Sequence, residues 1–416
     1  MNLFSKYFSR YPFHIGLQRN VIKPLNPWGL LTNLTTIADE LKSAGYATHV
    51  VGKWHLGFCK EDYLPTRRGF DHHYGFWVGS QDYYNHTRTF GGHQTGYDFR
   101  NDLEVDESAR GVYSSILFSQ QSDQIISNHD QSKPLFLYLP FQSVHGPIEA
   151  PQEYVDMYED VSDEDRRIYL GMVTAMDDAV NVVVKSLKSA GMFDNTIIVF
   201  FSDNGGAKGH GNNWPLRGHK ASVWEGGTRT PAFIHGPGLS PRTEERMFHV
   251  TDWYPTLLEV VNKKPSGPPM DGLGEWKGLL DSSENWTRNE MVYNIKTEKD
   301  HPYSPTSAIR VGDWKYLWRV TGDDTWQEPP EAMDVPQAKP CSSDQSSQIA
   351  HTNQLFNLAE DPLEKENLAY VEVERAEEMK SRLKEHLETY MDVDYDHEDP
   401  AGKPSHFGGV WSTGWC

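Results

Sequence analysis

The stretch Thr196-Ile197-Ile198-Val199-Phe200-Phe201-Ser202-Asp203-Asn204-Gly205-Gly206 decides the fold. The apolar residues after Thr196 run without a polar break, which predicts a strand covered on both faces. Such strands belong to parallel sheets flanked by helices. The run ends on two oxygen-bearing side chains and two glycines. In open α/β sheets ligands bind just past the carboxyl ends of the strands, so Asp203 and Asn204 stand where a site is expected.

Upstream, Leu170, Val173, Met176, Val180, Val183, Val184 and Leu187 recur at helical spacing, and Gly191 can cap the helix they form over 170–190. The same alternation appears twice more. Ile37 to Ala44 reads as a helix ended by Gly45, and Ala47 to Val51 as a strand, with Lys53 and His55 in the loop beyond it. Leu135 to Leu139 is a further apolar run, with His145 a few residues on. A central, mostly parallel sheet flanked by helices is therefore predicted over residues 1–262. After the proline-rich Lys263 to Pro269 the texture changes, and residues 263–416 read as a smaller α+β domain. In it Trp314 to Arg319 forms a strand, Thr321 to His351 a long surface loop, and Ala376, Met379, Leu383, Leu387 and Met391 one face of a helix. No internal repeat is apparent.

Composition narrows the function classes. A chain of 416 residues, 37% hydrophobic and 24% charged, is ample for a large core. A net charge of −20 argues against a nucleic-acid partner. Protonating all 18 histidines would bring that charge to about −2, relieving self-repulsion in an acidic compartment; histidines without a role are equally compatible. No apolar run is long enough for a membrane span. Met1 to Asn20 lacks the apolar core of a secretory signal peptide. Sequons nevertheless occur at Asn33, Asn85 and Asn285, a mild indication of a glycosylated secretory protein. The cysteines, Cys59, Cys341 and Cys416, have neither zinc-site nor redox-pair spacing, and their pairing is open.

The chemistry-bearing motifs are Gly52-Lys53-Trp54-His55-Leu56-Gly57, Pro65-Thr66-Arg67-Arg68-Gly69-Phe70-Asp71, Ser143-Val144-His145-Gly146-Pro147, Ser202-Asp203-Asn204-Gly205-Gly206 and Leu216-Arg217-Gly218-His219-Lys220. Asp203 and Asn204 suit a hard cation such as Ca²⁺, although Asp-Asn-Gly-Gly is also a common turn. Lys53 and His55, two residues apart in extended chain, can face one side. A lysine there can neutralise an anion and a histidine can move a proton or orient a reacting group. His145 alone is as compatible with a hydrogen-bonded structural role. Arg67, Arg68 and Asp71 read as structural, for which a buried Arg–Asp pair is one account.

Together these motifs resemble the type I sulfatases, most closely the arylsulfatase B, I and J group. Arg10-Tyr11 with Gly16-Leu17-Gln18, Ala308-Ile309-Arg310 with Gly312-Asp313-Trp314-Lys315, Leu355-Phe356-Asn357-Leu358 with Asp361-Pro362, and Gly409-Val410-Trp411 extend the likeness over nearly the whole chain. The resemblance implies an alkaline-phosphatase-like sandwich with a smaller C-terminal domain built on an antiparallel sheet. It implies lysosomal or secreted localisation and sulfated sugars of glycosaminoglycans, or aryl sulfates, as substrates. It gives Lys53, His55 and His145 catalytic roles, Lys220 a sulfate contact, and Asp203 and Asn204 the ligation of Ca²⁺.

One departure from the family pattern is large. The family's nucleophile is a formylglycine, made by the formylglycine-generating enzyme in a Cys-x-Pro-Ser-Arg segment expected before residue 10. Here Cys59 precedes Lys-Glu-Asp, Cys341 precedes Ser-Ser-Asp, Cys416 is terminal, and Ser266-Gly267-Pro268 continues Pro-Met. The family's early acidic pair of metal ligands is likewise expected upstream of residue 1. The chain thus reads as N-terminally incomplete and inactive alone, with that enzyme a partner only of a full-length form. The alternative is a catalytically dead relative that binds sulfated glycans. A phosphatase or phosphodiesterase of the same superfamily is less favoured, because the Lys-x-His and His-Lys motifs suit a monovalent ester.

Overall fold

The computed structural model describes residues 10–15, 18, 21–92, 94–297, 306–320, 326–328, 352–392 and 397–416. Gly16, Leu17, Cys341 and most of the loop predicted over 321–351 lie outside the described residues.

The first body begins with helix α1 (Ile37–Ser43). The Thr36 hydroxyl accepts from the Asp39 amide at 3.0 Å and the Asp39 carboxylate accepts from the Thr36 amide at 2.9 Å. This reciprocal cap satisfies two amide donors at the helix start. Strand β1 (Ala47–Lys53) follows and runs parallel to β2 (His72–Phe76) on one side and to β7 (Leu135–Tyr138) on the other. Between these come the hairpin β3 (Thr87–Phe90) and β4 (Gln94–Tyr97), the short β5 (Arg100–Asn101) and β6 (Glu104–Val105), and helix α2 (Ser114–Ser127). β5 and β6 join the edge of β2 antiparallel, so the sheet reads β6-β5-β2-β1-β7 and is mixed. Its core gathers Val50, Val51, Trp54, Phe70, Phe76 and Phe118.

Helix α3 spans Glu164–Ser189, starting earlier than its apolar spacing suggested because the Asp163 carboxylate accepts from the Arg166 amide at 2.7 Å and caps it there. The Ile198–Phe201 run is a strand, β8, but its neighbour departs from expectation. β8 pairs antiparallel with β9 (Ala232–His235) in a separate two-stranded sheet rather than joining the parallel one. An apolar run reports burial on both faces and says nothing of which strand lies beside it. Helix α4 (Trp253–Val260) completes this body.

The second body is an antiparallel meander of β10 (Glu290–Ile295), β11 (Ser307–Val311), β12 (Trp314–Val320) and β13 (Thr352–Asn357), with helix α5 (Val373–Leu387) on one face. Ala376, Met379 and Leu383 are buried as predicted, whereas Met391 lies beyond the helix and is largely exposed. The chain ends cross over between the bodies. Tyr11 and Phe13 pack into the core of the meander, and Trp411 packs into the first core. The tail is fastened by backbone bonds from the Tyr97 amide to Gly409 and from the Trp411 amide to Tyr97, both 2.9 Å, and by a disulfide between Cys59 and Cys416.

Candidate functional site

Lys53 is the last residue of β1, not a loop residue, and its amide donates to the Pro140 carbonyl at 2.9 Å. Gly52 makes this approach possible: its φ is +130° and a Cβ there would lie 2.3 Å from the Pro140 oxygen. His55 adopts a left-handed backbone (φ 56°), with its amide bonded to the Trp77 carbonyl at 3.0 Å. Its Nε2 lies 3.0 Å from the Ile22 carbonyl, so Nε2 carries the proton and Nδ1 is the acceptor nitrogen. Burial, the Lys53 ammonium and His145 hold the His55 imidazole well below its ordinary pKa, and the ring is neutral.

His145 sits beyond β7. Its amide donates to Gln142 at 2.9 Å, its Nδ1 donates to the Gly146 carbonyl at 2.8 Å, and the Tyr83 hydroxyl donates to its carbonyl at 2.8 Å. With Nδ1 occupied as a donor, Nε2 is the basic nitrogen. Burial, then Lys53, then Lys220 press its pKa down to about 4, with Asp203 opposing.

Asp203 and Asn204 follow β8. The Asn204 amide nitrogen donates to the Gly205 carbonyl at 2.9 Å, which orients its oxygen away as an acceptor. Lys220 is tied to the same loop: its amide donates to the Gly206 carbonyl at 3.0 Å. Asn213 bonds both the amide (2.7 Å) and the carbonyl (3.0 Å) of Gly206 and reaches the Gly218 carbonyl.

Lys53, His145, Asp203, Asn204 and Lys220 all line a single cavity of about 1370 Å³, with His145 within electrostatic reach of Lys53, Lys220 and Asp203; His55 is not among the lining residues but feels the charges of Lys53 and His145. Two ammonium groups and a neutral imidazole around one opening suit an anionic ligand with several oxygens. Asp203 and Asn204 supply one carboxylate and one amide oxygen, against the six to eight oxygens that Ca²⁺ takes. Among the described residues no three His, Cys, Asp or Glu side chains converge as a metal site. The donors are of the right type and fall short of a closed cage.

Arg68 is buried but does not pair with Asp71. It donates to the Leu30, Leu31 and Leu34 carbonyls, while Asp71 meets Lys42 at 2.7 Å and the Thr48 amide at 2.9 Å. The segment is structural, but its guanidinium satisfies a loop's carbonyls rather than an acid. Asn33, Asn85 and Asn285 are all exposed. Cys59 is covalently engaged with Cys416, its Cα 5.4 Å away, and is not a free thiol.

Sequence reasoning missed the support behind Lys220. Lys315, on β12 and fully buried, lies 2.8 Å from both Glu225 and Glu364. The Glu225 amide donates to Glu364 at 2.7 Å, and the Gly226 amide donates to the Arg217 carbonyl at 2.7 Å. The Arg217 guanidinium lies 3.6 Å over the Trp224 ring and 4.7 Å from Trp326. The sequence marks Lys315 within Gly312-Asp313-Trp314-Lys315 and at an inward position of a strand, but not the carboxylates it meets across space.

A mixed sheet flanked by helices, joined to an antiparallel C-terminal meander, makes the fold alkaline-phosphatase-like, and the candidate residues gather past its strand ends as ligand sites do in open α/β sheets. The sulfatase family model matches residues 3–263, and the chain belongs to that family of sulfuric ester hydrolases. Arylsulfatase J of Mus musculus is 34% identical to it over 97% of this chain and 70% of that protein. N-acetylgalactosamine-6-sulfatase of the same species is 27% identical over 85% of this chain and 68% of its own length. Among solved structures, Ps i-CgsB in complex with k-i-k-neocarrahexaose superposes with a TM-score of 0.76 at 25% identity, covering 97% of this chain and 85% of that one.

Proposed function

We propose that this site recognises the sulfate ester of a sulfated sugar, or of an aryl sulfate, and that the 416-residue chain by itself binds the ester without turning it over. The observation that carries recognition is the convergence of Lys53, His145 and Lys220 on one opening. Names among the relatives and a carbohydrate complex in a structural neighbour support a sulfated sugar. Lys53 and Lys220 neutralise the sulfate oxygens, His145 contacts the ester through Nε2, and His55 orients the group that Lys53 faces. What supports the absence of turnover is that the given sequence holds no Cys-x-Pro-x-Arg segment and that Cys59 is held in a disulfide. A form carrying that segment would need the formylglycine-generating enzyme and would be the hydrolase.

Asp203 and Asn204 are this chain's share of a Ca²⁺ site, weak because two oxygens leave most of the shell to other donors. The exposed sequons and the disulfide support a glycosylated protein of the secretory or lysosomal route. Calorimetry with a sulfated disaccharide and its unsulfated counterpart, with and without Ca²⁺, tests the reading. The sulfated sugar binds, and Lys220→Met weakens it by about 1.5–3 kcal/mol, roughly ten- to hundredfold. Equal binding of the two sugars, or full affinity in Lys220→Met, sinks sulfate recognition. Steady hydrolysis of an aryl sulfate by the purified chain sinks the other half.

A further inference from the structure

The chain holds 13 tryptophans, all among the described residues, and Trp214 alone of them is exposed, at 43%. It lies in the loop that runs from Asp203 and Asn204 to Lys220. A lone apolar side chain on a slack surface loop calls for no account. This loop is fastened on both sides of the indole. The Trp214 amide donates to the Asn212 side-chain oxygen at 2.8 Å, and the Asn212 side chain donates to the Gln327 carbonyl at 3.1 Å. The Leu216 amide donates to the Asn213 carbonyl at 2.8 Å. Gly206 and Gly211 pack backbone to backbone below, where a Cβ on Gly211 would lie 2.7 Å from the Gly206 Cα. The hub that fixes Trp214 also fixes Lys220. The Asn213 side chain accepts from the Gly206 amide at 2.7 Å, and the Lys220 amide donates to the carbonyl of that glycine at 3.0 Å. Asn212, Asn213 and Lys220 line the cavity whereas Trp214 does not, which puts the indole at the rim. Its exposure belongs to the outer loop and not to the cavity's interior.

We infer that Trp214 is the platform for a second sugar ring, next to the one whose sulfate the site takes, so that the ligand is an oligosaccharide. One face of a pyranose presents C–H bonds, weakly positive, which suit the negative face of an indole. Its hydroxyls meanwhile stay in water at the ring edge, as a rim position allows. An aromatic ring already held in place gives up little freedom when a ligand stacks on it. Because Lys220 and the residue before Trp214 bond the same glycine, the charge contact and the stacking face keep a fixed spacing. The lysine selects the sulfate, and the indole selects what the sulfated ring is attached to. A compact aryl sulfate or a single sulfated sugar engages only the first. The inference rests on sulfate recognition at Lys220 and goes beyond it in setting the size of the ligand.

Calorimetry with N-acetylgalactosamine 6-sulfate and with a tetrasaccharide that carries this sugar tests it on the whole chain. The tetrasaccharide is expected to bind about tenfold more tightly than the monosaccharide, the scale of one aromatic stacking contact. Trp214→Ala should shrink that advantage to about twofold or less, whereas Trp214→Phe, which keeps an aromatic face, should retain most of it. Lys220→Met weakens both ligands and reports on sulfate recognition alone. Three results overturn the platform while leaving sulfate recognition standing. The unaltered chain binds both ligands alike, or the advantage survives in Trp214→Ala, or that variant weakens the monosaccharide as much as the tetrasaccharide. The last outcome would put the indole against the sulfated ring itself. If neither ligand binds, or if Lys220→Met changes nothing, the sulfate site falls and the platform falls with it.

Discussion

His145 shows how much a residue's neighbours decide what it can do. A histidine in water is half-protonated near pH 6.5, but burial and two lysines leave this one neutral down to about pH 4. A sulfate ester arriving between Lys53 and Lys220 cancels part of that repulsion and favours the imidazolium. The His145 pKa then rises on binding, by about one pH unit or more. By linkage, a ligand that raises a pKa binds more tightly as pH falls through the window between the bound and free values. An NMR titration of the His145 ring, with and without sulfated sugar, checks both statements; identical curves would remove His145 from the site. That Lys53, His145, Lys220 and Asp203 line one cavity was legible in the sequence, since each stands at or just past a strand end or lies in the glycine-rich loop after β8. The tautomers were not, because they depend on Ile22 and Gly146 carbonyls whose approach is a tertiary matter.

At the scale of elements, the strand β12 reaches from the second body to brace a loop of the first. Lys315 is fully buried between two carboxylates and stays protonated. Burial alone would raise the Glu225 carboxyl, but Lys315 and the arginines nearby hold it below the ordinary range, whereas burial wins at Glu364. Replacing Lys315 by Met leaves two acids facing each other without a cation, which costs about 3–5 kcal/mol. Urea unfolding should show that loss. Replacing Lys315, Glu225 and Glu364 together by apolar residues of similar size should restore most of it. Equal loss in the single and triple variants would contradict the account. Elements with local causes were readable in advance: α1 from its Thr36–Asp39 cap and Gly45, α5 from its apolar spacing. The partner of β8 was not, since strand pairing is decided by what lies across space. Nor was the true use of Arg68, which serves three carbonyls of a loop rather than a neighbouring acid.

For the whole molecule, the Cys59–Cys416 bridge closes a loop of 357 residues in sequence. Closing so long a loop restricts the unfolded chain and contributes up to about 5 kcal/mol on entropic grounds. The native tail is also held by the Gly414 and Trp415 amides, both bonded to the Cys59 carbonyl. Reduction should therefore lower the urea midpoint without dissolving the fold, and Cys416→Ser should reproduce the effect. An unchanged midpoint on reduction would mean that the hydrogen bonds alone hold the tail.

The same bridge governs how this chain would respond to being pulled. A load applied at its two ends passes from the amino-terminal segment to Cys59 and straight across the sulfur pair to residue 416. Everything between those cysteines lies off the line of force. Stretched singly under a force probe, the oxidised molecule would yield only the extension of the stretch before Cys59. Adding a reductant under tension would release the sheltered loop, on the order of 3.3–3.6 Å for each residue freed.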